Sequence, residues 1–318
     1  MKKLLVYLFL IGVLGSLLCG LYLNRVLFKP LPYHTPFVFE LEKGTSAQEL
    51  AIELTKRNLV PHPFLARLAM RFYGFDTHLK AGEYAFDPQM SLKSILEKLT
   101  SGKVVMHRLT LAEGLTSAQM LNLIDTNDFL SGSITETADE GELFPETYTF
   151  AKGESKNNII KKAKKQMHKT LHTVWQQKDP NIPLKNTKEL LILASLIEKE
   201  TGINAERTKV ASVFYNRLKI NMLLQTDPTV IYALTMGHSD LGRALTRKDL
   251  KFDSPYNTYL YPGLPPSPIC NPGLKALTAA AHPEDTPYFY FVADGKGGHR
   301  FAKTLAEHNQ NIKLWLNN

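Results

Sequence analysis

Two glutamates, Glu198 and Glu200, close an almost wholly apolar helical segment. Asn186 to Gly202 reads as one helix, with Asn186 as N-cap, Glu189 at the reciprocal capping position and Gly202 as a stop. Between Leu190 and Ile197 only Ser195 is polar, so nearly every face of this helix must be buried. Glu198 then sits at the mouth of an apolar wall, on the face that carries Ala194, Ser195 and Gly202. Those residues are small and leave room for a substrate. Partial desolvation favours the neutral acid and raises its pKa, which suits a carboxyl group that gives up a proton near neutral pH. Glu200 points roughly the other way. The plainer reading of both is that they are helix-end charges held in ion pairs, and composition alone favours it.

Other polar residues cluster in the same half of the chain. Ser212 and Asn216 lie four apart on a helix expected over 204–218. Gln225-Thr226-Asp227-Pro228 precedes another helix, with Asp227 and Pro228 as an N-cap and N1 pair, and that capping role is sufficient for Asp227. Service as a second carboxylate is the sharper option. Residues 256–273 form a Pro-rich aromatic loop whose Tyr and Asn groups, Tyr256 and Asn257 among them, suit stacking on sugars and bonding their hydroxyls. Residues 139–150 form an aromatic and acidic loop that includes Tyr148. Ten histidines and two cysteines fall in no metal-ligand spacing, so neither metal nor cofactor is expected. The net charge of +8 suits an acidic partner, but no RNP motif, zinc-finger spacing or phosphate loop is present, so nucleic acid is not expected. Lys161, Lys162, Lys164 and Lys165 read as a solvated helix face.

These segments need a scaffold, and 318 residues with 44% hydrophobic and 21% charged content supply one. Leu4 to Leu23 carries no charge and follows Lys2 and Lys3. At helical rise it spans roughly 30 Å, the thickness of bilayer hydrocarbon. No Ala-x-Ala exit follows, and Leu18 before Cys19 is too large for a lipoprotein signal, so an uncleaved anchor is expected, with its short basic tail inside and the body outside. A proline-bearing connector, 29–36, leads to a strand at 37–41. Next come a helix capped by Ser46 and Glu49, and a second over 61–73 with Phe64, Leu65, Leu68, Ala69 and Phe72 inward. Strands at 81–86 and 104–111 flank a helix started by Ser91 and stopped by Gly102. Beyond these lie helices over 116–125 and 156–177, a hairpin around residues 295–298 and a last helix capped by Thr304. The fold class is α+β: an anchor with its tail (1–28), a small α+β module (29–105) and a larger mixed α+β domain (106–318).

Gly44-Thr45-Ser46 opening an amphipathic helix resembles the start of a LysM module, a glycan binder. Longer motifs follow in order: Leu193-Ala194-Ser195-Leu196-Ile197-Glu198-Lys199-Glu200-Thr201, then Val210-Ala211-Ser212-Val213-Phe214-Tyr215-Asn216-Arg217-Leu218, then Leu224-Gln225-Thr226-Asp227-Pro228-Thr229-Val230. Ser254 to Tyr259, Gly263 to Pro266, Phe291 to Gly295, Gly297 to His299, Leu143 to Tyr148 and Ala81 to Tyr84 agree. Together they resemble the YceG-like endolytic murein transglycosylases, over the anchor, the LysM-like module and the second domain. Ser267 stands where that pattern leads one to expect Gly.

The resemblance implies a single-pass inner-membrane enzyme with its catalytic body in the periplasm. Such an enzyme cuts the MurNAc-GlcNAc β-1,4 bond inside peptidoglycan glycan strands, leaves a 1,6-anhydro-MurNAc end, and so terminates or trims nascent strands. It implies Glu198 as the catalytic acid, with glycan contacts from Asn216, Gln225, Asp227, Tyr256, Asn257 and Tyr148. Penicillin-binding proteins are the partners it suggests. Two other readings stay open: a hydrolytic muramidase using a second carboxylate from Asp227, Glu200 or Glu146, and a glycan-binding scaffold that cuts nothing.

Overall fold

The computed structural model describes residues 2–31 and 33–316, with nothing described of the Lys2 side chain. Met1 of the expected tail and Pro32 of the expected connector lie outside the described residues. The chain divides into two compact units: one runs up to His107 and includes Thr149–Gly153, and the other comprises Arg108–Tyr148 and the chain from Glu154 onward.

The first unit opens with α1 (Lys2–Phe28), long and apolar enough over Lys3–Phe28 to cross a membrane. Only its end joins the unit's core, where Leu27 is buried. Then follow β1 (Phe37–Leu41), α2 (Ala47–Lys56), α3 (Pro63–Phe72), β2 (Gly82–Phe86) and α4 (Leu92–Ser101). β1 and β2 pair antiparallel, with Phe39 opposite Tyr84, and the helices pack their apolar faces on that ribbon. The Ser46–Glu49 capping box starts α2, and Gly102 in the left-handed conformation ends α4. The inward face of α3 differs from expectation. Ala66, Ala69 and Met70 are buried, whereas Phe64 and Phe72 are 62% and 80% exposed. Apolar residues occupy most of this helix, so periodicity does not choose the face; close packing against α2 favours the side with two alanines.

Strands β3 (Met106–Thr110) and β5 (Thr147–Ala151) pair as a two-stranded sheet. Between them lie α5 (Ser117–Asp125), started by a Thr116–Gln119 capping box, and β4 (Leu130–Ser131), which pairs in parallel with β6 (Glu154–Ser155). The rest of the second unit is α6 (Lys156–Gln176), α7 (Thr187–Glu200), α8 (Arg207–Lys219), α9 (Asp227–Thr235), α10 (Leu274–Ala281), the hairpin β7 (Tyr290–Ala293) and β8 (His299–Ala302), and α11 (Leu305–Leu316). Helix α7 packs against α6, α8, α9 and α10, and every residue from Leu190 to Ile197 is buried. That enclosure is the physical reason its sequence is apolar on all sides.

The boundaries nearest the two glutamates move from the sequence reading. Helix α7 ends at Glu200 with extended Thr201 as its cap, so Gly202 is not the stop. A 3-10 turn, Asn204–Glu206, precedes α8. Thr226 is the N-cap of α9, and Asp227 is its first helical residue.

Long irregular segments lie over α7, and buried Asn271 ties them together. Its Oδ1 accepts from the Leu143 amide at 2.8 Å, and its Nδ2 donates to the Leu115 carbonyl at 3.1 Å. Asn271→Ala orphans the buried Leu143 amide, while the Leu115 carbonyl keeps the Asn271 backbone amide at 2.8 Å. The expected cost is about 2 kcal/mol or more of stability, read by urea unfolding of the full chain in detergent.

Candidate active site

The two glutamates at the end of α7 meet different surroundings. Glu198 Oε1 accepts from Arg207 Nη1 at 2.8 Å, and its Oε2 accepts from the Gly273 amide at 2.8 Å, where α10 begins. Both side chains of that ion pair are only 5% exposed. Each carboxylate oxygen is therefore engaged, and almost no surface remains for a substrate.

Glu200, the last residue of α7, is half-buried. Its pKa is pushed up to about 7, first by burial. The Thr226 hydroxyl draws it down, the negative charge of Asp227 pushes it up, and His299 and Arg217 draw it down again. The carboxyl-terminal end of a helix carries partial negative charge, which also disfavours the ionised form. Glu200 thus holds its proton near neutrality because its carboxyl group is largely withdrawn from water.

The groups around Glu200 are fixed by the fold. Thr226 is buried; its amide donates to Thr258 Oγ1 at 3.0 Å, and its carbonyl accepts from Thr229 Oγ1 at 2.7 Å. Gln225, just before it, is exposed and adopts a left-handed backbone at φ 50°. Asp227 is exposed and accepts from the Tyr259 hydroxyl at 2.6 Å. Burial, then that bond to Asp227, pushes the Tyr259 pKa up. Buried Arg217 donates from Nε to the Phe289 carbonyl at 2.7 Å and from Nη1 to the Leu224 carbonyl at 2.7 Å.

His299 is held from two sides. Its Nδ1 lies 2.8 Å from Glu206 Oε2, and its amide donates to Glu206 Oε1 at 2.9 Å. Thr201, next to Glu200, donates to Glu206 Oε2 at 3.4 Å. Gly298 makes this approach possible, since a Cβ there would stand 2.8 Å from Glu206 Oε1. Among the described residues, no group of three or more His, Cys, Asp or Glu side chains is gathered as a metal would need.

Of the residues expected from sequence to touch a ligand, Asp227 stands beside Glu200 and Gln225 adjoins Thr226. Several others hold backbone. Asn216 donates to the Thr286 and Tyr288 carbonyls at 2.7 and 2.9 Å. Buried Asn257 donates to the Phe252 carbonyl at 2.8 Å, and buried Tyr148 to the Phe144 carbonyl at 2.7 Å. Half-buried Tyr256 bonds the Ser267 hydroxyl at 2.7 Å, the position at which Gly was expected. Sequence reasoning did not single out Thr226, Tyr259, Arg217, Glu206 or His299. Four of the five lie inside the quoted motifs, while Glu206 lies between them with no local pattern to mark it.

The second unit thus offers an acid–base site: one carboxyl group poised near neutrality, a second carboxylate, hydroxyls, and an imidazole oriented by a carboxylate. The profile of the YceG-like family matches residues 39–314, and the chain belongs to that family. It is 35% identical over 302 residues to an endolytic murein transglycosylase of Bacillus subtilis, covering 85% of this chain and 82% of that protein. A Streptococcus pneumoniae protein of the same name is 28% identical over 87% of this chain, which spans 58% of that longer relative. The crystal structure of a YceG-like protein from Listeria monocytogenes superposes with a TM-score of 0.51 at 32% identity, covering 87% of this chain and 99% of that one.

The Glu198–Arg207 pair generates a stability prediction. Arg207→Met leaves a buried carboxylate without its cation, and the expected cost is about 3–5 kcal/mol. Glu198→Gln added to Arg207→Met recovers most of that loss. A double-mutant cycle of unfolding free energies checks it.

Proposed function

We propose that this protein is a membrane-anchored endolytic lytic transglycosylase of peptidoglycan, with Glu200 as its acid–base residue. The observation that carries the assignment is the contrast at the end of α7: both oxygens of Glu198 are engaged, by Arg207 and the Gly273 amide, while Glu200 has no ion pair among the described residues and a pKa pushed up to about 7 by burial. Glu200 takes the role that the family resemblance gave to Glu198. Glu198 positions α7 against α8 and the start of α10.

The chemistry needs one group in two states. Neutral Glu200 gives its proton to the bridging oxygen between MurNAc and GlcNAc, and the C1–O bond breaks with its electron pair going to that oxygen. The resulting carboxylate takes the proton of the MurNAc 6-hydroxyl as that oxygen bonds to C1. The product ends in a 1,6-anhydro ring, no water is consumed, and Glu200 is protonated again. His299, oriented by Glu206, and Arg217 offset the transient negative charge on Glu200.

The rest of the chain serves delivery. Residues 1–28 comprise a single-pass anchor in the inner membrane, with the body on the periplasmic, wall-facing side. Residues 29–105 hold glycan as a LysM-like module. The β-α-α-β order of β1, α2, α3 and β2 supports this reading, as does a groove of about 760 Å³ lined by polar residues such as Lys43, Thr45, Glu49 and Arg57. Residues 106–318 cut. Beside the membrane such an enzyme ends or trims new strands in company with penicillin-binding proteins.

Asp227 favours one other reading, since a second carboxylate near the acid is what a hydrolytic muramidase requires. Product mass on purified glycan strands separates the two, because the anhydro end is one water lighter. Glu200→Gln is expected to lower turnover by roughly 10²–10⁴-fold, whereas Glu198→Gln lowers it only as far as it lowers the folded fraction. Equal loss in a fully folded Glu198→Gln would overturn the assignment. The rate is expected to fall as pH rises through about 7, where Glu200 loses its proton. Stability follows the same titration. From its usual value of 4.5 up to about 7 the unfolded chain ionises this group while the folded chain does not, so rising pH favours unfolding. Glu200→Gln is therefore expected to gain up to about 3 kcal/mol over the parent above pH 7 and nothing below pH 4.

A further inference from the structure

We propose that α3 is a second membrane contact, lying in the headgroup layer beside the emerging end of α1; this rests on the reading of α1 as a membrane anchor. The observation is the outward face of α3. Phe64, Arg67, Leu68, Arg71 and Phe72 follow the i, i+3, i+4, i+7, i+8 pattern of a single stripe. All but half-buried Leu68 are exposed. Tyr73, the residue that caps the helix, packs its ring edge-on against Phe72 at 5.2 Å. Water is a poor setting for two phenylalanines on so short a helix. The interface suits them, because aromatic rings rest at the headgroup level and arginines meet anionic lipid there.

The position of α3 against α1 gives the level. A groove at the end of α3 is lined by Leu68, Phe72 and Tyr73 on one side and by Gly20, Leu23 and Leu27 on the other. A second groove, just before α3 begins, has Val60 and Pro61 facing Tyr22, Arg25 and Lys29. The two sets on α1 differ by about two residues, or roughly 3 Å of rise, while α3 is about 15 Å long. α3 therefore crosses α1 instead of running along it. A span that begins after Lys3 uses up the hydrocarbon thickness after about 20 residues, near Leu23. The level of α3 is thus the boundary of the bilayer, and a helix lying across the span there lies in its plane. Arg25 and Lys29 add to Arg67 and Arg71 a set of four cations at that level, a match for anionic headgroups.

Such a contact holds the first unit against the membrane instead of letting it swing on α1 alone. The test uses the full chain carrying Trp175→Phe and Trp315→Phe, reconstituted in phosphatidylglycerol–phosphatidylcholine vesicles with lipid brominated near the headgroup. A single tryptophan is then added as Phe72→Trp, as Leu14→Trp in the middle of α1, or as Glu42→Trp at an exposed position past β1. Phe72→Trp is expected to be quenched severalfold more than Glu42→Trp by shallow bromines and less by deep ones, with Leu14→Trp showing the reverse depth order. If Leu14→Trp is quenched and Phe72→Trp is not, the anchor stands and the docking of α3 is overturned. If Phe72→Trp and Glu42→Trp are quenched alike, the contact is not specific to α3 and the proposal fails. If Leu14→Trp is not quenched, the anchor reading fails and the docking falls with it.

Discussion

The complete burial of α7 is the constraint from which the second unit follows. A helix apolar on every side is stable only when neighbours cover it all round, and α6, α8, α9 and α10 do so. Its sequence turns polar at Glu198, at the point where the covering ends. Three consecutive ionisable residues, Glu198, Lys199 and Glu200, must then be accommodated within one turn. Lys199 reaches outward and donates to the Gly114 carbonyl at 3.3 Å. The two carboxylates have no such exit, and the fold treats them in opposite ways.

Glu198 is neutralised. A cation from the start of α8 and an amide from the start of α10 engage both oxygens, so one buried carboxylate joins three helices. Such a pair is a poor source of net stability but a strong constraint on register, because any arrangement that separates its partners leaves a bare buried charge. Glu200 is left without a comparable cation. Arg217 turns Nε and Nη1 to backbone carbonyls, and His299 is committed through Nδ1 to Glu206. Asp227 adds a negative charge on the remaining side. Fixing Glu198 thus sets the end of α7, and that end holds Glu200 where its proton is hard to lose.

Much of the scaffold was legible in the sequence because local chemistry decides it. The caps at Ser46, Ser91, Asn186 and Thr304, the buried run of α7 and the β7–β8 hairpin all follow from near-neighbour patterns. The exposed face of α3 was not legible, because an apolar majority leaves several faces equally plausible by periodicity. The distinction between Glu198 and Glu200 was not legible either. Both lie at the same helix end, and they are separated by Arg207, nine residues on, and by the Gly273 amide, 75 residues from Glu198. Glu206 and His299 meet across 93 residues. Contacts at such separations leave no trace in spacing.

The polar residues that sequence alone offered to a sugar show why residue type misleads in this fold. The chain between α9 and α10, from Met236 to Gly273, contains one 3-10 turn and no strand or α-helix. A backbone without a ladder still has to satisfy its carbonyls and amides once it is buried. Side-chain amides are the residues able to do so from both ends, and Asn257 and Asn271 are wholly buried doing this. Asn216 does the same for the segment at Thr286 and Tyr288. Asparagine and tyrosine are the side chains a glycan site would use, and also those an irregular loop needs to close on itself. What separates the two uses is exposure: Asp227 and Gln225 keep it beside Glu200, while Asn257 and Tyr148 do not. A loop network of this kind is rigid through its buried amides and leaves its open polar groups around a single titrating carboxyl, the arrangement that a one-residue acid–base mechanism requires.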